Sequence, residues 1–324
     1  MSFVPRGTES FGKVQETYFQ AKNIVDQRAS NRQEKQLDVV EFYSGLGRIA
    51  SWGTKCGYNC ATFEYKDNHI MEDALGIEGF LTLLRLTMSI REEGLAHWAT
   101  VCSSWVFLCR DITGRASDRP LGWTEHESVR AGNTQVARMA LVLMLQFVFG
   151  IHFIVEQPAS SIMKAAPWMA HMRHMVKFWY TSLWMGMYGA DTQKPTQLMS
   201  ASFWSSFLGV RRDTTRDAEW SSTQLVSTGA PDHRGRLPIT GAKDMVKQSQ
   251  EYPWGYAKAV IEKWAENKNE PFTEDNWDWP EIQELDWTVH AKAQQDAGLD
   301  WTMAKLNDVA DFLGIPKDRP MKRH

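Results

Sequence analysis

Two carboxylates, a thiol and a glycine turn are the groups of this chain best placed for chemistry. Ser44, Gly45, Leu46 and Gly47 follow the short β-branched and apolar run Val39, Val40, Glu41, Phe42. A glycine turn lets backbone N–H groups approach a ligand closely, and a helix N-terminus behind it adds a favourable dipole. Glu64 stands at the end of the next strand-like run, where a carboxylate accepts hydrogen bonds from a ribose diol. Tyr65, beside it, offers a ring for stacking on an adenine. Glu156 ends the apolar run His152–Val155 and precedes Gln157 and Pro158. A carboxylate at the C-terminal end of a buried parallel strand lies in the crevice where such folds bind ligands. Cys102 directly follows the strand candidate His97–Val101. Taken alone, a cysteine there is most often a small buried filler.

These groups depend on alternating strands and helices for their placement. Leu37–Asn68 reads as strand, glycine turn, helix, second strand and acidic end. The helix spans Arg48–Cys56, with Ile49, Trp52 and Gly53 inward and Gly57 as its C-terminal glycine. Asn59–Glu64 reads as a buried parallel strand. Met71–Ile90 reads as a helix, and Phe107–Gln135 as a polar loop containing Arg110, Asp111 and Arg115. Thr134–Val148 reads as a buried helix, followed by Gly150 and the strand Ile151–Val155. Trp179–Met187 is another strand candidate, and Tyr252–Ile261 a helix started by Pro253. This alternation predicts an α/β fold with a mostly parallel sheet and helices on both faces. Phe42, Glu64, Cys102 and Glu156 should then share the C-terminal edge of that sheet.

FYSGLG followed by FEYKDN resembles the first two motifs of the C5-cytosine DNA methyltransferases, which use S-adenosylmethionine (SAM). The resemblance covers roughly residues 37–264 and implies a Rossmann-like SAM-dependent methyltransferase fold. It implies a cofactor site at Phe42, Ser44, Gly45, Gly47, Glu64 and Tyr65, with Asp73 as a third acidic contact to the adenine amino group. It makes Cys102 the nucleophile that attacks C6 of cytosine, although Val101 and Ser103 replace the usual flanking Pro and Gln. It makes Glu156 the carboxylate on cytosine N3, with Gln157-Pro158 in place of Asn-Val. Tyr188–Thr196 is similar to the family's Tyr-Gly-x-x-Gln-x-Arg-x-Arg segment; Gln193 matches, and Lys194 stands where arginines are expected. Residues 200–250 fall where the family carries target recognition. They hold Arg211, Arg212, Arg216, Arg234 and Arg236 with Trp204 and Trp220, which suits a phosphate-bearing partner. The Pro-led helix is similar to the family's last motif.

At 324 residues the chain can hold one large α/β domain plus an appendage, or two modest domains. Residues 1–36 read as an N-terminal extension with a helix near Gly12–Ala29, and residues 265–324 as an acidic, Trp-rich C-terminal extension. Within the latter, Val289–Ala297 and Trp301–Leu313 read as short helices. The net charge of -3 does not announce a nucleic-acid binder, so the DNA partner rests on the resemblance. The four cysteines are unevenly placed, which fits a reducing intracellular compartment, nucleus or cytoplasm. Their spacings suit no common metal site, so no metal is expected. The N-terminus lacks the apolar stretch of a signal peptide. The one strongly apolar run, Ala137–Val155, is interrupted by Gln146, Gly150 and His152, so no membrane span is expected. No feature sets an oligomeric state. The alternatives to DNA cytosine methylation are a methyltransferase for RNA or a small molecule, and an inactive or regulatory binding module of the same fold.

Overall fold

A computed structural model describes residues 36–65, 71–106, 109–214, 226–228, 239–241 and 251–269 of the chain. The helix candidates at 12–29, 289–297 and 301–313 lie outside the described residues, as do Trp220, Arg216, Arg234 and Arg236.

Eight strands and six α-helices are described. The strands are β1 (Leu37–Phe42), β2 (Cys60–Phe63), β3 (Ile90–Trp98), β4 (His152–Pro158), β5 (Trp179–Trp184), β6 (Pro195–Ser200), β7 (Val226–Thr228) and β8 (Ile239–Gly241). The helices are α1 (Arg48–Lys55), α2 (Ile77–Ser89), α3 (Arg110–Thr113), α4 (Glu127–Val148), α5 (Pro167–Met175) and α6 (Trp254–Asn267). Six strands form one sheet in the order β2-β1-β3-β4-β6-β5, and β7 and β8 form a separate antiparallel pair. β2, β1, β3 and β4 run parallel, whereas β6 is antiparallel to both β4 and β5. The protein is thus α/β, with a mixed, mostly parallel sheet.

Helices cover both faces. Phe80, Leu83 and Leu84 of α2 join Val136, Met139 and Leu143 of α4 and Met169 and Met172 of α5 in one core. Ile49 of α1 and Tyr256, Val260, Ile261 and Trp264 of α6 pack on the opposite face. Strand alternation sorts the residues: Val40, Phe42, Ala96, Trp98, Phe153 and Val155 face the first core, and Val39, Leu95 and Ile154 the second. The apolar run Ala137–Val155 is divided as expected, ending α4 and entering β4 through Gly150, whose φ is 67°.

Several boundaries differ from the sequence reading. β3 begins at Ile90 and ends at Trp98, so the strand candidate ending at Val101 is shifted back. Its first half, Arg91-Glu92-Glu93-Gly94, is polar and irregular: the register against β1 shifts, and Glu93 has φ 62°. α2 starts at Ile77, because Asp73 organises a turn over the preceding residues by accepting from the Leu75 amide at 2.9 Å. The expected long loop Phe107–Gln135 contains α3 and the first two turns of α4. Those turns look polar in sequence but bury Val129, Gly132 and Asn133. β5 stops at Trp184 and gives way to a 3-10 turn over Met185–Tyr188. α6 runs to Asn267, across the boundary placed after Trp264.

Candidate functional site

The strand order changes direction between β1 and β3: β1 leads outward to β2, and β3 leads the other way to β4. Such a switch point opens a crevice beyond the C-terminal ends of the strands. The turn after β1 lines it. Tyr43, Gly45 and Gly47 have φ of 58°, 58° and 61°, so three of five residues are left-handed. Among the described residues, a Cβ on Gly45 would meet nothing within 4 Å. Tyr43 takes the same conformation with a bulky side chain, a cost of order 1–3 kcal/mol that its surroundings must offset. Its ring packs against Phe63 and Trp98 at 6.0 and 6.2 Å.

Glu64 follows β2 and returns to the turn: its Oε2 accepts from the Gly45 amide at 2.8 Å. Its own amide donates to Glu72 at 2.6 Å. Tyr65 is half exposed. Asp73 sits on the same side, in a turn that Arg138 of α4 anchors by donating to the Ala74 and Gly76 carbonyls at 2.6 and 2.8 Å. Ser44 is buried. The Phe42 ring is fully buried and stacked on Trp98 at 4.1 Å, so it builds the core beneath the turn rather than touching a ligand.

The second half of the site gathers around Glu156 on β4. This carboxylate is 5% exposed. Its Oε2 accepts from the Tyr252 hydroxyl at 2.9 Å, and Lys194 Nζ lies 3.4 Å from Oε1. Apart from that ion pair, Oε1 has no hydrogen-bond partner among the described residues. Lys194 precedes β6 with a strained φ of 30°, and its ammonium also lies 5.5 Å from the Tyr252 ring centroid. Gln193 precedes it, its carbonyl accepting from the Gly186 amide at 3.3 Å. Cys102 lies in the turn after β3. Burial chiefly, and then the Glu156 charge, push its thiol up to about 11, while Lys194 acts in the opposite direction. Cys102 thus feels the charges of Glu156 and Lys194, both distant from it in sequence.

The loop beyond Cys102 is pinned by Arg115, almost fully buried. Arg115 donates to the Pro120 carbonyl at 2.6 Å, Asn133 Oδ1 at 2.8 Å, the Val129 carbonyl at 3.1 Å and Ser104 Oγ at 3.2 Å. Its guanidinium lies 3.5 Å from the Trp105 ring centroid.

Arg211 and Arg212 are exposed, and Arg212 lies 5.4 Å from the Trp184 ring at the end of β5. Three strands separate β5 from the switch point, so these arginines stand apart from the glycine turn. Trp204, expected among recognition residues, is instead core: it is buried with Leu208 under α6.

Sequence reasoning missed four polar residues of this site. Glu41 is fully buried on β1; Oε2 accepts from the Ala50 amide at 2.9 Å, and burial raises its pKa to about 8. His97, its register partner on β3, is also fully buried and meets the Tyr256 hydroxyl at 3.1 Å. Burial, reinforced by Lys194, lowers His97 to about 3. Tyr252 and Tyr256 complete the layer, 5.1 Å apart between rings. One signal was available: Glu41, His97 and Glu156 each interrupt an apolar strand near its C-terminal end, on the parity that faces α6.

Among the described residues, no cluster of three or more His, Cys, Asp or Glu suits a metal ion, and no helix is long and apolar enough to cross a membrane. No family model, no curated protein and no solved structure matches this chain.

Proposed function

We propose that this chain is a SAM-dependent methyltransferase with a Rossmann-like sheet, acting on C5 of cytosine in DNA through Cys102 and Glu156. The observation that carries the reading is the convergence of the glycine turn, Glu64, Cys102 and Glu156 on one edge of the sheet, at its switch point. The residues fit the cofactor. Among the described residues the turn is open over Gly45, the carboxylate of Glu64 lies against that turn, and Tyr65 is half exposed. When bound there, SAM supplies the methyl group.

The chain's own groups then prepare the base. Cys102 would add as a thiolate to C6 across the C5–C6 double bond, C5 would then accept the methyl group, and loss of the C5 proton would expel the thiolate and restore the double bond. Glu156, fixed by Tyr252 and Lys194, meets the Watson–Crick edge of a base flipped out of its stack. Lys194 is the cation that favours the thiolate. A thiol pushed up to about 11 is a weak nucleophile at neutral pH. That observation favours the second reading, a protein of this fold that binds its ligands without transferring a methyl group.

Calorimetry with SAM tests the cofactor site: wild type should bind, and Glu64→Ala should weaken binding by on the order of 1.5–3 kcal/mol. No heat of binding at millimolar SAM would remove the reading. DNA carrying 5-fluorocytosine should trap wild type covalently and leave Cys102→Ser untrapped, with SAM binding retained. SAM binding without transfer or adduct selects the binding-module reading.

A further inference from the structure

We propose that Tyr252 is a positioning residue that couples the glycine turn to Glu156. It stands just before Pro253, the N-cap of α6, and is 5% exposed. Its two polar ends reach two different parts of the crevice. The hydroxyl donates to Glu156 Oε2 at 2.9 Å. The carbonyl accepts from Nη1 of Arg48, the first residue of the helix behind the glycine turn. Nη2 of the same guanidinium pairs with Glu251 at 3.2 Å, so Arg48 grips the segment entering α6 at two points.

The ring between those ends is held firmly. It packs edge-on against His97 at 5.2 Å and beside Tyr256 at 5.1 Å. The first turn of α6 is fixed as well. A Cβ on Gly255 would lie 2.3 Å from the Tyr188 carbonyl oxygen, so α6 touches that turn backbone to backbone. A shift of the α1 N-terminus therefore reaches the Glu156 carboxylate through one residue. Glu156 in turn acts on Cys102, which feels both its charge and that of Lys194. The contact of the hydroxyl with Glu156 stands on geometry, its readout at Cys102 on the charge of Glu156, and the cofactor end on the methyltransferase reading.

The test reads the rate at which iodoacetamide alkylates Cys102 in the full chain, followed by mass spectrometry of the Cys102 peptide. Tyr252→Phe removes the hydroxyl and keeps the ring and carbonyl. It should change the rate by at least about threefold in the wild-type background and by less than about 1.5-fold in Glu156→Gln. A purely structural role would give equal changes in both backgrounds, and that result, or no change in either, overturns the proposal. For the cofactor end, saturating S-adenosylhomocysteine should alter the alkylation rate of wild type but not of Tyr252→Phe or Arg48→Met, with binding checked by calorimetry. A response that survives in both variants overturns the coupling. Failure of wild type to bind S-adenosylhomocysteine overturns the cofactor end together with the methyltransferase reading, and the first comparison still judges the hydroxyl.

Discussion

On the face covered by α2, α4 and α5, strands β1, β3 and β4 present Val40, Phe42, Ala96, Trp98, Phe153 and Val155. On the face covered by α1 and α6, the same strands present Glu41, His97 and Glu156 among Val39, Leu95 and Ile154. One residue of offset separates a scaffold from a site. Successive strand side chains point to opposite faces, so a single strand serves both roles without compromise. The two faces also manage polarity differently. On the first, Trp98 donates to Gln146 at 3.0 Å, and Gln146 donates to Thr87 at 3.3 Å, neutral pairs that close on each other. On the second, the buried polar groups are titratable; among the described residues Glu41 Oε1 and His97 Nδ1 make no hydrogen bond, as Trp105 Nε1 and Trp168 Nε1 make none on the first. Burial holds Glu41 protonated and His97 neutral near pH 7, which avoids the larger cost of buried charge.

The contrast breaks first at the scaffold. Trp98→Ala removes a fully buried ring stacked on Phe42 and leaves Gln146 without its donor. A loss of about 3–5 kcal/mol in urea denaturation is expected, the usual scale for such a truncation. A loss below about 1 kcal/mol would show that this face is not the stability-bearing one.

His97 gives the next largest effect. Its folded pKa of about 3 lies below the ordinary 6.5, so the unfolded chain binds the extra proton between those values. Stability should fall as pH drops below 6.5, by about 2 kcal/mol at pH 5 from this residue. His97→Gln should flatten the acid limb of the melting curve, and an unchanged limb would remove the assignment.

Glu41 works in the opposite direction. Its pKa is raised from 4.5 to about 8, so stability is lost as pH rises across that window. Glu41→Gln keeps an acceptor for the Ala50 amide and should stabilise by about 1.5 kcal/mol at pH 5.5. The gain should vanish below pH 4.5, and a gain that persists there would have another cause.

The smallest expected effect concerns the thiol. Glu156 raises the Cys102 pKa and Lys194 lowers it, so Glu156→Gln should speed alkylation and Lys194→Met should slow it. Changes of about threefold, half a pKa unit, are expected near pH 8. Equal rates in both variants would separate Cys102 from the polar face.

Local pattern was legible wherever it was strong. Val39–Phe42, the glycine turn and the Pro-led helix at Tyr252–Pro253 each carry their own signal, and all begin close to where they are expected, though the helix runs on to Asn267. The polar first half of β3 was not legible, because its irregular pairing with β1 leaves no apolar alternation. Nor was the antiparallel β6: a motif-like stretch around Lys194 gave no cue that Pro195–Ser200 would enter the sheet between β4 and β5. That insertion is what places Lys194 beside Glu156.

By itself the sequence determined the α/β class, the glycine turn and the acidic residues that end its strands, because each follows from residues close together in the chain. Only the tertiary structure decided that Tyr252 closes on Glu156 across 96 positions, that Arg48 reaches Tyr252 across 204, and that Glu41 and His97 share a buried layer. Such contacts depend on strand order and on which helix covers which face, and neither is written in any local stretch of sequence.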